Sequence, residues 1–512
     1  MKVPLSTGRK RRPGFCSIVA SAIAFAAGAA TARAQDLGPA EPPTAEPPPS
    51  HERLPPSAAP SPLASRFGHE LRYVVGGIEV RGNRRTETSL ILSELGLSLG
   101  DVLTPDDPRV PIAELRLRAL GYFVSVQLRL ERLPGRRGEV LLIVEVEERG
   151  TRVLNQVYLG SSEATAFWGG LDVSETNLFG RGLVVGAGGL VSTRPEVSEA
   201  VSGRALSLRA AGPARKRGLL LAGNFLYSRG SEFYQAYGKE DVSDPGKWVA
   251  LAYRRVGGAL SVGSDLSRTA RVYAEGRFES IEARLPGIRT RDFEADGVRP
   301  IDFQIHEGGS RLASIAGTLD LDARSDPVMP TRGHRVMVSL EAALPLFGSS
   351  YSYGKGVAQG SIFFPTRHGH VIALHGFGGA VLGEAPFFAR FFIGDLNFLL
   401  PPRNLGLNFS TQPSRNVFGN SASRRRYESV AGRAVIEYAV PLWRRGRFAY
   451  RGDAFAAFGV FGLADLEDLV ARDSDLRQST SSDLTGDLGV RLDTNIGVFT
   501  LSIANALGRL PL

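Results

Sequence analysis

From residue 152 onward the chain is a succession of about fifteen strand-length segments separated by turn signals, with almost no helical periodicity. In "RGHRVMVSLEAALPL" (Arg332–Leu346), His334, Val336, Val338, Leu340 and Ala342 point one way, and Arg335, Met337, Ser339, Glu341 and Ala343 the other. Strand side chains have period two, so one face is apolar and the other polar. Most of the segments share this pattern, and the apolar face must be covered by a second sheet or by lipid. Segments of ~9–11 residues fit a tilted bilayer crossing. A run of about 360 residues of one strand type also exceeds the usual single soluble β-domain. The chain has one cysteine, Cys16, whereas secreted soluble β-domains commonly use disulfides. The balance favours a transmembrane barrel over a large soluble β-protein.

The first 34 residues have the layout of a secretory signal peptide. Lys2, Arg9, Lys10, Arg11 and Arg12 precede the apolar run "FCSIVASAIAFAAGAA", and "ARA" ends just before Gln35. Cleavage there removes Cys16 and lowers the formal net charge of +9 by six, since Arg33 leaves too and no acid does. The remaining near-neutral chain is no case for a nucleic-acid partner. No apolar run of helix-spanning length remains, and only helices and closed barrels satisfy every backbone group in lipid.

Residues 35–71 are rich in Pro, Ala and Ser and read as an extended linker. Residues 72–150 read as a small α+β domain of order β-α-α-β-β. Thr86 is the expected cap of a first helix with Leu90, Ile91 and Leu95 on its buried face. A second helix, with Ile112, Leu115 and Ala119 on one face, ends at Gly121. Val124, Val126, Leu128 and Leu130 alternate in the next strand, and Val140, Leu142, Val144 and Val146 in the last. Residues 151–512 form the barrel.

Motifs of enzymatic chemistry are missing. No His-Glu-x-x-His occurs, and "GSSYSYGKG" lacks the spacing of a phosphate loop. The sequence offers no catalytic, cofactor-binding or metal-ligating residues. The glycine clusters at Gly186–Gly189 and Gly376–Gly379 read as small residues on curved strands. His368 and His370 fall in a turn, "RHGHV".

"IEVRGNRRTE", "RALGYFVSVQLRLE", "SETNLFGRG", "DLDARSDPVMPTRGHRVMVSLE", "RFFIGD" and "VIEYAVPLW" follow one another in an order that resembles the Omp85 superfamily, outer-membrane barrels preceded by POTRA domains. Residues 75–149 resemble one POTRA domain through "IEVRGNRRTE", with Gly82 and Asn83, then Gly100, then the Leu-Gly-Tyr-Phe-x-x-Val run (Leu120, Gly121, Tyr122, Phe123 and Val126). "SETNLFGRG" resembles an early barrel turn. Asp322, Arg324, Pro330 and Gly333 fit a strand-opening motif. "RFFIGD", with Arg390 and Gly394, resembles the start of the long sixth loop, which in the family folds into the lumen. "VIEYAVPLW", with Glu437, resembles the strand after it.

Two departures stand out. The loop has no Arg-Gly-aromatic tip; Arg403, followed by Asn404, is the nearest candidate. The strand motif that would supply its acid reads "FAAFG" (Phe455–Gly459), with Ala457 at the acid position. Asp453 is a candidate displaced partner for Arg403. The segment count is odd, whereas bacterial single-chain barrels have even numbers, so the expectation is about 16 strands or a missing last one.

The resemblance implies a non-enzymatic protein of the bacterial outer membrane, with its POTRA domain in the periplasm. It would assist insertion of outer-membrane proteins or translocate polypeptides. The implied partners are the lipid bilayer, unfolded β-barrel clients, and periplasmic proteins or lipoproteins. No cofactor is implied. A single POTRA domain and an altered loop suggest a specialised member. The alternative is a passive channel or structural barrel that has lost the insertase role.

Overall fold

The computed structural model describes residues 72–507 apart from 137, 163–164, 194–202, 214–218, 237–247, 268, 294–296, 397–402, 410–426, 445, 447, 467–468 and 470–480. The leader and linker lie outside the described residues. The chain divides into two compact units.

The first unit contains β1 (Tyr73–Arg81), α1 (Thr88–Leu95), β2 (Val102–Leu103), α2 (Arg109–Ala119), β3 (Phe123–Arg132) and β4 (Glu139–Glu148). Its sheet has the order β2-β1-β4-β3, with β1 parallel to β4 and β3 at one edge. The core is Val75, Ile91, Leu95, Leu103, Ala113, Leu117, Val126, Leu142 and Val144. The four β4 residues expected inside are all buried.

Three local expectations are corrected. α1 begins at Thr88, two residues past Thr86, so Thr86 is not its cap. α2 buries Ala113 and Leu117, with Val110 and Leu120 beside them, while Leu115 is exposed. Its inner stripe therefore has spacing i, i+3, i+7, i+10, two residues out of phase with the expected one. In β3 a register shift between Phe123 and Ser125 turns Val124 outward and Phe123 inward. A bulge inserts one residue and flips the alternation. Gly82 adopts φ +90°, and a Cβ there would lie 2.0 Å from the Val146 carbonyl oxygen, so the turn requires glycine.

The second unit is a nearly closed antiparallel barrel. Its strands are β5 (Arg152–Ser162), β6 (Thr165–Leu178), β7 (Leu183–Ser192), β8 (Arg204–Pro213), β9 (Leu219–Gln235), β10 (Trp248–Asp265) and β11 (Ala270–Arg284). A small hairpin follows, β12 (Thr290–Phe293) and β13 (Gly297–Pro300). The barrel continues with β14 (Gly308–Asp322), β15 (Gly333–Ala343), β16 (Ser352–Pro365) and β17 (Val371–Glu384). After an excursion containing β18 (Phe391–Phe392), α3 (Ile393–Leu396) and β19 (Tyr427–Glu428), it ends with β20 (Val430–Trp443), β21 (Ala449–Ala464), β22 (Ser481–Thr494) and β23 (Gly497–Ala506). Fifteen strands form one sheet, from β5 to β23. Each coincides with a segment read from the sequence, but the even total does not hold among the described residues.

Every one of the fifteen strands carries an exposed large apolar residue; examples are Leu159, Leu171, Leu260, Phe278, Leu340 and Leu501. The opposite faces carry paired polar groups. Arg335 bonds Asp320 at 3.0 and 2.8 Å, Thr318 bonds Ser339, and Tyr353 bonds Glu341. The barrel is thus apolar outside and polar inside, the inverse of a soluble β-barrel. In β15, Val338 and Leu340 are 38% and 66% exposed, as alternation requires. Val336, opposite Gly360 on β16, is the exception at 3%. No described helix is long and apolar enough to cross a membrane.

Candidate functional site

Two features stand apart from the barrel wall: a loop folded into the lumen, and the seam where the first and last strands share no ladder among the described residues.

The loop is the excursion between β17 and β20. In strand order β6, β9 and β10 lie across the barrel from these two strands. A contact with them from this loop runs through the interior. Phe409 stacks on Trp168 of β6, centroids 4.9 Å apart. Asn408 and Tyr427 donate to the buried Glu232 carboxylate of β9 at 2.9 and 2.6 Å. Tyr253 of β10 donates to the Gly406 carbonyl at 2.7 Å. Arg255 of β10 sits 3.7 Å over the Phe388 ring while pairing with Glu279 at 2.9 and 3.1 Å. Glycines admit the loop: Leu407 occupies the space beside Gly230, and Phe391 that beside Gly379. Beside the loop is a luminal cavity of about 920 Å³, bordered by Lys355, Arg390, Arg403, Arg433, Glu437 and Arg491 among others.

The proposed Arg403–Asp453 pair does not form. Arg403 binds Asp395 of its own loop and donates to the carbonyls of Phe388 and Arg390 at 3.0 and 3.4 Å. Its guanidinium also faces the rings of Phe392 and Tyr427. Asp453 pairs opposite Pro441, near the other end of β21, with Arg444 at 3.9 Å. The two lie toward opposite ends of the barrel, a separation that the missing strand motif did not convey. Arg390 reaches Asp465 at 3.4 Å, and Gly394 is buried in α3. Glu437 takes a bidentate contact from Arg491 at 3.1 and 3.0 Å. Asp322 pairs with Arg324 at 2.9 and 2.7 Å, and Gly333, at φ +95°, opens β15.

The POTRA-motif residues occupy turns and core. Gly100 and Gly121 take φ +87° and +76°, Gly121 directly after Leu120, the C-cap of α2. Asn83 donates to Thr88 at 2.9 Å. Tyr122 and Phe123 are buried edge to face in the core that also holds Val126.

The seam lies between β5 and β23. Antiparallel neighbours alternate in direction and fifteen is odd, so these two edges run parallel to each other. They pair with no ladder among the described residues. Leu154 donates to the Ile496 carbonyl at 2.9 Å, in the turn leading into β23. Below it, Arg149 and Arg451 both bind the buried Asp493, and Arg451 also reaches Asp326 at 3.0 Å. Sequence reading missed this cluster, because its four members are remote in the chain and fit no motif.

The Omp85 superfamily domain model matches residues 177–509. The POTRA model, described as a surface antigen variable number repeat, matches residues 73–149. A relative, outer membrane protein assembly factor BamA of Neorickettsia risticii (strain Illinois), is 32% identical over 109 residues. That match takes in 21% of this chain and only 14% of the relative's length. Among solved structures, BamA from Haemophilus ducreyi lacking POTRA domains 1-3 aligns at TM-score 0.46 and 17% identity, covering 86% of this chain and 82% of that one. CdiB from Escherichia coli aligns at TM-score 0.48 and 10% identity, covering 88% and 89%.

Proposed function

The chain belongs to the Omp85 superfamily, and on that premise we propose that it works in the bacterial outer membrane, helping β-barrel proteins insert or moving polypeptides across. The observation that carries this reading is the seam. Two strand edges meet through a backbone bond at one end and, among the described residues, share no ladder above it. Such edges template an incoming strand. A client strand laid antiparallel between β5 and β23 has the right direction for both.

The small domain lies on the periplasmic side in this reading. Its edge strand β3 offers a second place for strand addition, to capture an extended client before it reaches the barrel. The work is non-enzymatic: hydrogen bonds are exchanged and no covalent bond is made. Unfolded barrel proteins are the clients, and periplasmic proteins or lipoproteins the accessory partners.

One observation favours a passive channel as second reading. Arg403 is neutralised within its own loop, and a large cavity remains beside it. Reconstitution in proteoliposomes decides between them. The full chain should accelerate folding of a client barrel, and deletion of residues 72–149 should reduce the effect. Steady conductance in planar bilayers without any acceleration would favour the channel.

A further inference from the structure

β17 and β20 are hydrogen-bonded neighbours, so the turns below them are adjacent on the rim where the barrel is entered. The turn after β16 reads Thr-Arg-His-Gly-His (366–370), and the turn after β20 Arg-Arg-Gly-Arg-Phe (444–448). Among the described residues the two turns hold Arg367, Arg444, His368 and His370 and no acid. The two turns are tied together. Arg444 donates to the Gly369 carbonyl at 3.2 Å, and His370 Nδ1 lies 2.6 Å from the Tyr438 hydroxyl. The rings of His368 and His370 are 6.2 Å apart. Arg367 and His368 are exposed, and Arg367 has no acidic partner among the described residues. Among the described residues the one acidic contact of Arg444 is Asp453 at 3.9 Å, whose side chain is buried.

The cluster borders the outer, apolar face. Tyr438 alternates with Glu437, which lines the lumen, so Tyr438 points outward. Phe364, Leu442 and Trp443 are exposed beside it. Aromatic residues in this position mark the boundary between hydrocarbon and headgroup. A cation cluster at that height meets lipid phosphate rather than bulk water.

We propose that Arg367, His368, His370 and Arg444 form a binding site for the phosphate of an anionic glycerophospholipid, with Tyr438 and Trp443 against its acyl–headgroup boundary. The site fixes this sector of the barrel in depth. The proposal rests on the reading that the barrel spans a membrane.

The test uses the full chain in nanodiscs of equal parts phosphatidylcholine and phosphatidylglycerol. Lipids that stay bound after detergent extraction are counted by native mass spectrometry. The wild type should retain phosphatidylglycerol preferentially. Arg367→Gln with Arg444→Gln should lower that preference by about fivefold per arginine, and the paired Arg→Lys substitutions should restore it. Heat-dependent electrophoretic mobility checks that each variant is folded. Equal retention of the two lipids by an inserted wild type overturns the proposal. So does release of the bound lipid by excess inorganic phosphate, which would make the site one for free phosphate. A chain that never enters the nanodisc defeats both this proposal and the membrane reading, and so separates the two failures.

Discussion

Leu154 donates its backbone N–H to the carbonyl of Ile496 at 2.9 Å, and at this bond the first barrel strand meets the turn into the last. Above it the parallel edges of β5 and β23 share no ladder among the described residues. If clients enter there, fastening the edges must stop them. Leu154→Cys with Ile496→Cys, oxidised to a disulfide, should reduce client folding to the rate of empty liposomes, and reduction should restore it. Unchanged acceleration by the oxidised form would place client entry elsewhere.

Asp493 holds two guanidiniums, those of Arg149 and Arg451, and its side chain is almost fully buried. Asp493→Asn leaves both cations without their shared charge. Removing one partner of a buried pair costs roughly 3–5 kcal/mol. The urea midpoint of barrel unfolding should fall accordingly, and Arg149 should lose its hold on the base of β22. A shift typical of a surface residue would show that water already screens the cluster.

Arg403 answers to Asp395, not to Asp453. Arg403→Ala and Asp395→Ala should therefore have similar, non-additive effects on a spin label in the loop, each raising its mobility. Asp453→Asn should leave that label unchanged. Additive effects of the first two would mean that the carbonyls of Phe388 and Arg390, rather than the carboxylate, hold the guanidinium.

In the small domain, Asp107 accepts from the Arg109 backbone N–H and side chain, and these contacts hold its carboxyl at about 2. Its unfolded value is near ~3.9, so protons bind more tightly to the unfolded chain. The contribution to stability is complete above that value and is lost as pH falls through about 2. Hydrogen–deuterium exchange of β1 and β4 amides, corrected for intrinsic rate, should show protection falling across this window. Asp107→Asn should remove that part of the pH dependence.

All fifteen barrel strands could be read from alternation, because a wall that is lipid-like on one side and polar on the other writes its period into each strand. The parity of the wall was legible as well; what misled was the rule of even numbers. Val124 was misread because a bulge is a backbone event with no side-chain signature. Leu115 was misread because α2 offers two apolar stripes, and only packing against the sheet selects Ala113 and Leu117. The luminal anchors were hidden for another reason. Glu232 and Tyr427, or Trp168 and Phe409, are brought together only when the sheet curls into a cylinder, and no local pattern encodes which strands then face each other.

Everything above requires the outward residues of the barrel to have hydrocarbon as their solvent. Nitroxide labels at Val338, Leu340 and Leu260, with Ser339 as the luminal control, test this in reconstituted protein. The three outward labels should collide freely with molecular oxygen and hardly at all with a water-soluble nickel chelate, and Ser339 should show the reverse order. Nickel access at the outward positions, or immobility typical of packed protein, would contradict the account.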